Sequence, residues 1–246
     1  MKIALFVPCY IDQFYPQVAI ATLELLEKFG MNVSVPEKQT CCGQPMANSG
    51  FAYLSEECDE NIVRNFADYD YIVCPSGSCT LHVKDHLHVA NQEKESRHIR
   101  GHIKELTEFM TDVLQVKELN ATFPYKVGLH QSCHGQRGLK LAQMSELVAP
   151  PFSKPEKLLR MVKGIELIEL DRRDECCGFG GTFCVTEEAV SVKMGLDRVA
   201  DHQRHGAEYI TAADMSCLMH LEGILRRQKS TTRVIHIAEI LNATVS

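Results

Sequence analysis

The sequence contains the tripeptide Cys-Cys-Gly twice. It occurs in Thr40-Cys41-Cys42-Gly43-Gln44-Pro45 and again in Glu175-Cys176-Cys177-Gly178-Phe179-Gly180-Gly181. Glycine directly after two cysteines is typical of a tight turn, in which backbone N–H groups can approach sulfur. The recurrence of this element indicates an internal duplication, which the flanking sequence tests.

The regions on either side of the two triplets repeat in the same order. Upstream, Lys2–Tyr10 aligns with Lys126–His134. Downstream, Tyr71-Ile72-Val73 precedes Ser78-Cys79 by the same interval as Tyr209-Ile210-Thr211 precedes Ser216-Cys217. The segment His102–Leu106 then aligns with His236–Ile240. The chain is therefore predicted to be a duplicated unit of roughly 120 residues, which is a usual domain size.

The boundary between the two copies is predicted near Asn120–Pro124. Residues 1–122 form the first cysteine-rich repeat and residues 123–246 the second. Eight of the eleven cysteines recur between the repeats, whereas Cys58, Cys74 and Cys184 do not. The recurring cysteines are Cys9, Cys41, Cys42 and Cys79 in the first repeat and Cys133, Cys176, Cys177 and Cys217 in the second.

Composition limits the classes of function. The chain has 246 residues, of which 45% are apolar and 24% charged, an ordinary balance for a globular protein. Its net charge of −6 argues against nucleic-acid binding, and no apolar run approaches the length of a membrane span. We find no export signal. Eleven cysteines in such a chain are therefore expected to be metal ligands or redox groups in a reducing cytoplasm.

Hydrophobic patterning predicts strands that alternate with helices in each half. Strands are expected at 3–7, 31–35, 70–73, 126–130, 165–170 and 209–211, and helices at 18–29, 51–66, 80–87, 138–148, 185–205 and 216–227. This order predicts an α/β fold of two pseudo-symmetric repeats, each a parallel sheet flanked by helices. The eight recurring cysteines then follow strands, so two cysteine sites are expected at the carboxyl ends of the strands.

Four thiolates suit two kinds of metal centre. They can hold a [4Fe–4S] cluster or a tetrahedral zinc ion, and sulfur as a ligand does not separate the two. Zinc modules commonly use two Cys-x₂-Cys elements, which this sequence lacks. Adjacent cysteines suit a cluster with several metal corners better than one small ion. The spacing therefore favours one iron–sulfur cluster per repeat, with zinc as the alternative occupant.

These motifs resemble the cysteine-rich CCG domain family, which includes iron–sulfur subunits of heterodisulfide reductase and of glycolate oxidase. The resemblance covers nearly the full chain and is greatest to the lactate-utilization group. Its motifs include Pro8-Cys9-Tyr10, Cys74-Pro-Ser-Gly-Ser-Cys79 and Ser132-Cys133-His134-Gly135, together with both triplets. The resemblance implies iron–sulfur binding by the eight recurring cysteines.

The resemblance also implies partners. It places the chain beside a ferredoxin-type iron–sulfur subunit and a third subunit, in a complex that oxidises L-lactate to pyruvate. The chain would then be a non-autonomous oxidoreductase subunit that transfers electrons. Two alternatives remain: a zinc-stabilised scaffold subunit, and a heterodisulfide-reductase-like subunit with a catalytic cluster.

The fullest family pattern ends in Cys-x-x-Cys. In this chain the first cysteine of that pair is replaced by Ser76 in the first repeat and by Asp214 in the second. Four ligands therefore remain in each repeat. Asp214 is expected either to offer an oxygen ligand or to cap the following helix. His82 and His220 recur three residues after the last cysteine, where they either donate to a cluster or simply pack. His130 and His134 flank Cys133 and have no histidine counterparts. Each could bind a metal, interact with a cluster from behind its ligands or relay protons, but an ordinary loop histidine is the favoured interpretation.

Overall fold

The computed structural model describes residues 1–244 and contains two four-stranded sheets. All strands of each sheet are parallel, in the orders β2-β1-β3-β4 and β6-β5-β7-β8. The strands are β1 (Ile3–Leu5), β2 (Val33–Ser34), β3 (Tyr71–Cys74), β4 (Ile103–Glu105), β5 (Lys126–Leu129), β6 (Glu166–Leu167), β7 (Tyr209–Ala212) and β8 (Arg233–His236). The predicted second repeat extends to residue 246, and its last two residues lie outside the described part.

Helices connect the strands and cover the sheets. They are α1 (Cys9–Phe14), α2 (Pro16–Lys28), α3 (Gln44–Asn48), α4 (Glu56–Phe66), α5 (Gly77–His86), α6 (Glu93–His102), α7 (Leu106–Glu108), α8 (Lys154–Leu159), α9 (Phe183–Thr186), α10 (Glu188–Arg204), α11 (Met215–Arg227) and α12 (Ile237–Asn242). A 3₁₀ helix occupies Ala52–Ser55, and π-helical turns occupy Phe109–Val113 and His134–Gly138. The predicted α/β class, with two repeated parallel sheets and cysteine segments beyond the strand ends, is confirmed.

The two halves share a hydrophobic core. One cluster of buried residues includes Ile3 and Val18 from the first half and Ile210 and Ile237 from the second. Helix α2 packs against α12, and the Lys28 ammonium donates to the Asn242 side chain at 2.6 Å. Burial of apolar surface between the halves stabilises their association. The division at residues 122/123 stays a prediction about the repeated units.

The halves also meet where the third strand of each sheet ends. Ser76 and Asp214 form an antiparallel bridge, and the Gly77 N–H donates to the Ala213 carbonyl at 3.1 Å. Asp214 N-caps its own helix α11 by accepting the Ser216 N–H at 3.2 Å. Its other oxygen accepts the Ser78 N–H of α5 at 2.7 Å. One buried carboxylate therefore satisfies the N-termini of two helices from different halves.

Each Cys-Cys-Gly triplet ends in a left-handed turn. Gly43 has φ = 86° and Gly178 has φ = 87°, a conformation that residues with a Cβ atom seldom adopt. A Cβ atom at Gly178 would lie 2.7 Å from the Ser191 carbonyl oxygen, and one at Gly43 would lie 2.7 Å from the Ser55 Cβ. Both the φ angle and the close packing therefore require glycine after the second cysteine.

Each sheet has a fourth strand that the sequence did not predict. Strands β4 and β8 each pair with one neighbour only, and β4 contains Lys104 in a run of three residues. A strand this short at the edge of a sheet has too few residues to show a hydrophobic alternation in the sequence. The structure also corrects the alignment of His102 with His236. Glu105 pairs with Cys74 and His236 with Ala212, so Glu105 is the counterpart of His236.

The predicted helix at 138–148 was wrong. After the π-helical turn, Lys140 has φ = 55° and the chain folds back, with the Gln143 N–H donating to the Phe152 carbonyl at 2.7 Å. The Lys154 N–H donates to the Leu141 carbonyl at 2.8 Å. These bonds between the two sides of a loop replace helical hydrogen bonds, and Pro150 and Pro151 restrict the backbone there.

The predicted helix at 185–205 is interrupted near its start. Glu187 has φ = −121° and ψ = 47°, which is not helical and separates α9 from α10. The other predicted helices are present with bounds that differ by a few residues. Helix ends are the least certain part of such a prediction, because local packing decides the last turn.

We expect Asp214→Ala to destabilise the fold. The substitution leaves the buried N–H groups of Ser78 and Ser216 without their carboxylate acceptor, at a cost of about 1–3 kcal/mol in the free energy of unfolding. Urea unfolding followed by circular dichroism measures this change. Asp68→Ala, at an exposed position, serves as the control. An equal, small effect of both substitutions would contradict the proposed double cap.

We also expect Gly178→Ala to cost more stability than Gly206→Ala. Gly206 has φ = 76°, and a Cβ atom added there would have no other atom within 4 Å, so its substitution measures the backbone cost alone, about 1–2 kcal/mol. At Gly178 the contact with Ser191 adds an overpacking cost of about 1–3 kcal/mol. Parallel urea titrations of the two variants give the difference, and equal costs would show that the turn accommodates a methyl group.

Candidate metal centre

The structure brings the eight recurring cysteines to the carboxyl edges of the two sheets. Each set of four, here called a quartet, contains one cysteine after the first strand, two in the triplet loop and one in the first turn of a helix. The first quartet is Cys9, Cys41, Cys42 and Cys79, and the second is Cys133, Cys176, Cys177 and Cys217. Cys79 and Cys217 are the third residues of α5 and α11.

The thiols of the first quartet are in contact. The sulfurs of Cys9 and Cys41 are 3.8 Å apart, and those of Cys42 and Cys79 are 3.4 Å apart. Cys41 also contacts Cys42 through a thiol hydrogen bond. Cys42 and Cys79 are buried, whereas Cys9 and Cys41 are partly exposed. The first quartet is therefore one continuous sulfur surface, open on one side.

The second quartet has the same chain of contacts. Cys133 interacts with Cys176, Cys176 with Cys177, and Cys177 with Cys217. Cys177 is buried and the other three are partly exposed. The agreement between the two quartets follows from the repeated strand ends and triplet turns.

One sulfur of each quartet is prepared to be a thiolate. The pKa of Cys41 is lowered because the thiols of Cys42 and Cys9 donate to its sulfur, and the Gly43 N–H donates as well, at 3.4 Å. The same arrangement lowers the pKa of Cys176, whose sulfur accepts the Gly178 N–H at 3.4 Å. Each triplet therefore favours ionisation at its first cysteine over its second.

The second cysteine of each triplet resists ionisation. The pKa of Cys42 is raised, first because its thiol donates to the Cys41 sulfur, and the pKa of Cys177 is raised in the same way by Cys176. Several thiolates in contact repel one another unless a cation lies between them. The quartets thus have the donor atoms of a thiolate metal centre, and they fit zinc or an iron–sulfur cluster.

The sulfur spacing distinguishes these occupants in part. Distances of 3.4 and 3.8 Å are close to the edge of a tetrahedral zinc thiolate, about 3.8 Å for Zn–S bonds of about 2.3 Å. A [4Fe–4S] cluster binds each cysteine to a different iron, so its ligand sulfurs must move apart from these contact distances. Both occupants use the same four ligands.

The two quartets line one cavity. Its volume is about 360 Å³, and its walls include cysteines of both quartets together with Tyr10, Phe179 and Asp214. The triplet loops meet at its rim, where the Ser49 and Thr182 hydroxyls are 2.9 Å apart. The two candidate sites are therefore neighbours across the joint between the halves.

The three other cysteines lie outside the quartets. Cys74 is fully buried in β3, and its sulfur is 3.8 Å from the Ser76 carbonyl oxygen. Cys184 donates to the Gly181 carbonyl at 3.0 Å. Cys58 is partly exposed on α4, and burial raises the pKa of its thiol. None of these three thiols belongs to the contact chain of either quartet.

The recurring histidines lie beside the quartets. His82 is buried and close to Cys41, and burial lowers its pKa to about 4. His220 is close to Cys176, its pKa is also lowered by burial, and its Nε2 lies 3.4 Å from the Ser191 carbonyl oxygen. The repeat in the sequence had identified both positions.

His130 lies beside the second quartet, although the sequence analysis favoured an ordinary loop role for it. A ring nitrogen of His130 and the sulfurs of Cys177 and Cys217 lie within 4.8 Å of one another, and the imidazole is buried. Burial lowers its pKa to about 3. Its position at the end of β5, three residues before Cys133, was the available signal. His134, in contrast, is partly exposed and lines the cavity.

Two other polar features lie away from the sulfur atoms. A cleft of about 930 Å³ in the second half is lined by Arg160 and Arg173, which pair with Glu156 and Glu169. Asp171, Asp201 and His205 could also hold a metal ion. Among residues 1–244, no helix combines the length and apolar character needed to cross a membrane.

A solved structure shares the fold. A hypothetical protein from Helicobacter pylori superposes with a TM-score of 0.64 at 12% identity, over 100% of this chain and 49% of that chain. The chain thus spans about half the length of that protein. At this identity the similarity shows the fold alone.

The sequence comparisons are more specific. Lactate utilization protein A of Geobacillus kaustophilus is 40% identical over 99% of both chains. Lactate utilization protein A of Bacillus subtilis is 38% identical over 99% of this chain and 100% of its own length. The family model described as the CCG cysteine-rich domain matches residues 3–84 and 127–222, one match in each half. The chain therefore belongs to the CCG cysteine-rich domain family.

Proposed function

We propose that this chain is an iron–sulfur electron-transfer subunit of a complex that oxidises L-lactate to pyruvate. The relatives named lactate utilization protein A match over their full length, which supports a role in lactate utilization. The observation that supports electron transfer most directly is the pair of four-thiol quartets on one cavity. Each quartet has enough ligands for one [4Fe–4S] cluster.

The chain's own residues provide three things that such a subunit needs. The cysteines supply four sulfur ligands from three segments, so folding alone assembles each site. The Gly43 and Gly178 N–H groups donate to sulfur and so stabilise negative charge there. Buried Cys42 and Cys177 keep one side of each quartet away from water. When bound, an iron–sulfur cluster supplies one-electron transfer.

The shared cavity supports transfer between the two sites. Both quartets line the same cavity, and this proximity supports direct electron exchange between them. Each quartet also has partly exposed cysteines, which give a partner access. We propose that a ferredoxin-type iron–sulfur subunit and a third subunit dock beside this chain in the cytoplasm. The chain is then a non-autonomous part of the oxidoreductase.

Zinc is the second candidate occupant, and the contact distances between sulfurs favour it. A zinc ion in each quartet would make the chain a scaffold that docks partner subunits without transferring electrons. Such sites stabilise the fold directly, because thiolate ligands of an unfolded chain bind zinc less well. The two functions therefore predict different metals and different effects of reduction.

Purification without oxygen distinguishes the candidates. We expect iron and acid-labile sulfide in near-equal amounts, and an electron paramagnetic resonance signal that changes on reduction with dithionite. Metal analysis of the same sample measures zinc. Stoichiometric zinc without sulfide, in protein kept anaerobic throughout, would contradict the electron-transfer function and establish the scaffold.

Single substitutions test the two quartets separately. We expect Cys42→Ser and Cys177→Ser each to remove about half of the visible cluster absorbance, because each disables one four-ligand site. Cys58→Ser is the matched control, since Cys58 lies outside the quartets, and it should leave the spectrum unchanged. Equal losses in all three proteins would show that the quartets are not the ligand sets.

A further inference from the structure

The two sites differ at one position behind the sulfur atoms. The repeat aligns Phe6 of the first half with His130 of the second. Phe6 is buried and packs edge-on against Phe66, with ring centroids 5.5 Å apart. His130 is equally buried but faces Cys177 and Cys217. The wall behind the first quartet is therefore aromatic, and the wall behind the second contains a polar imidazole.

The imidazole of His130 has one nitrogen in use and one free. Arg198 donates through its Nε to the Nδ1 of His130 at 3.2 Å. Within residues 1–244, no side chain or backbone group makes a hydrogen bond to its buried Nε2. A buried donor without an acceptor costs about 1–3 kcal/mol, so an acceptor at this point would stabilise the site.

Arg198 determines which nitrogen bears the proton. A guanidinium can only donate, so Nδ1 must accept, and a neutral imidazole then has its hydrogen on Nε2. Arg198 is itself fully buried and is held by the Arg172 carbonyl, at 2.5 Å, and by Asp201, at 3.3 Å. The orientation of the His130 N–H is thus built into the packing of α10 against β5.

Two cations also lie near the second quartet: Arg137, near Cys133, pairs with Glu146 at 2.6 Å, and Arg198 lies near Cys177. His82 and His220 stand at equivalent positions beside Cys41 and Cys176. The positive charge of Arg198 is partly offset by Asp201 at 3.3 Å. His202, also next to His130, is kept neutral because burial lowers its pKa. Both cations have a carboxylate partner, whereas the N–H of His130 has no acceptor in the described part of the chain.

We propose that the His130 Nε2–H donates a hydrogen bond to sulfur at the second site and makes that site the electron acceptor of the pair. The inference rests on the proposed iron–sulfur function. Reduction adds negative charge to the cluster and its sulfurs, and an N–H donor stabilises that charge, so the reduction potential rises. Phe6 supplies no such donor at the first site.

The proposal implies electron transfer between the two sites, and this transfer requires no proton. A cluster held by the first quartet would give up one electron and be oxidised, and a cluster held by the second quartet would take up that electron and be reduced. His130 stays a neutral imidazole throughout, because its N–H is shared with sulfur and not released. The partner that delivers electrons is therefore expected at the first half, and the partner that removes them at the second.

A redox titration of anaerobically purified full-length protein tests the proposal. We expect two reduction waves in the unmodified protein. His130→Phe gives the second site the residue of the first. It should lower the more positive reduction potential by at least about 59 mV, which is a tenfold change in the equilibrium constant of a one-electron couple. His130→Gln retains an N–H donor and should keep most of the separation. His88→Phe, at an exposed histidine, is the control.

Hyperfine spectroscopy of the reduced protein adds a readout independent of folding changes. We expect one cluster signal to couple to a nitrogen and to a proton that exchanges in D₂O, and expect that coupling to vanish in His130→Phe. The Cys42→Ser protein, which retains the second site alone, assigns the signal.

The outcomes separate the two hypotheses. Protein with zinc and no sulfide contradicts the proposed function itself. Two intact clusters whose potentials do not change in His130→Phe overturn the inference and leave electron transfer standing. If His130→Phe fails to fold or to bind a cluster, the unmodified protein decides the question: absence of the exchangeable-proton coupling there also overturns the inference.

Discussion

Both sites depend on the contact between four thiols at the edge of a parallel sheet. Sulfurs 3.4–3.8 Å apart cannot all be ionised together without a cation, because like charges at that distance repel strongly. One thiolate per quartet is stabilised against this repulsion, because two thiols and one backbone N–H donate to the first cysteine of each triplet. A bound metal would offset the charge of further thiolates, so metal binding and thiol ionisation are coupled.

The fold supplies the means to hold those thiols in contact. Glycine at the end of each triplet permits the left-handed turn that places a backbone N–H against the preceding sulfur. Asp214 then fixes the starts of α5 and α11 relative to each other, and the last cysteine of each quartet lies in the first turn of these helices. An error of one residue at either point would move a sulfur out of its quartet.

Much of this arrangement could be predicted from the sequence, because the duplication marks the residues that matter. Two copies of Cys-Cys-Gly at corresponding positions identified the turns, and the apolar runs before them identified the strands. Edge strands β4 and β8 could not be predicted in the same way, since a strand of three or four residues has almost no periodicity. The helix expected at 138–148 was wrong because hydrogen bonds across a loop, which are tertiary, outweighed a helical pattern of apolar residues.

His130 was ranked too low for the opposite reason. The repeat identifies what the two halves share, and His130 is where they differ. Its significance depends on Arg198, which is distant in sequence and reaches it only when α10 packs on β5. Under the proposed function, one-way electron transfer is favoured when two sites with the same ligands have unequal surroundings, because identical sites would have equal potentials. The ligands must then stay constant while the residues behind them diverge, and the exchange of Phe6 and its partner Phe66 for a histidine held by a buried arginine is a change of that kind.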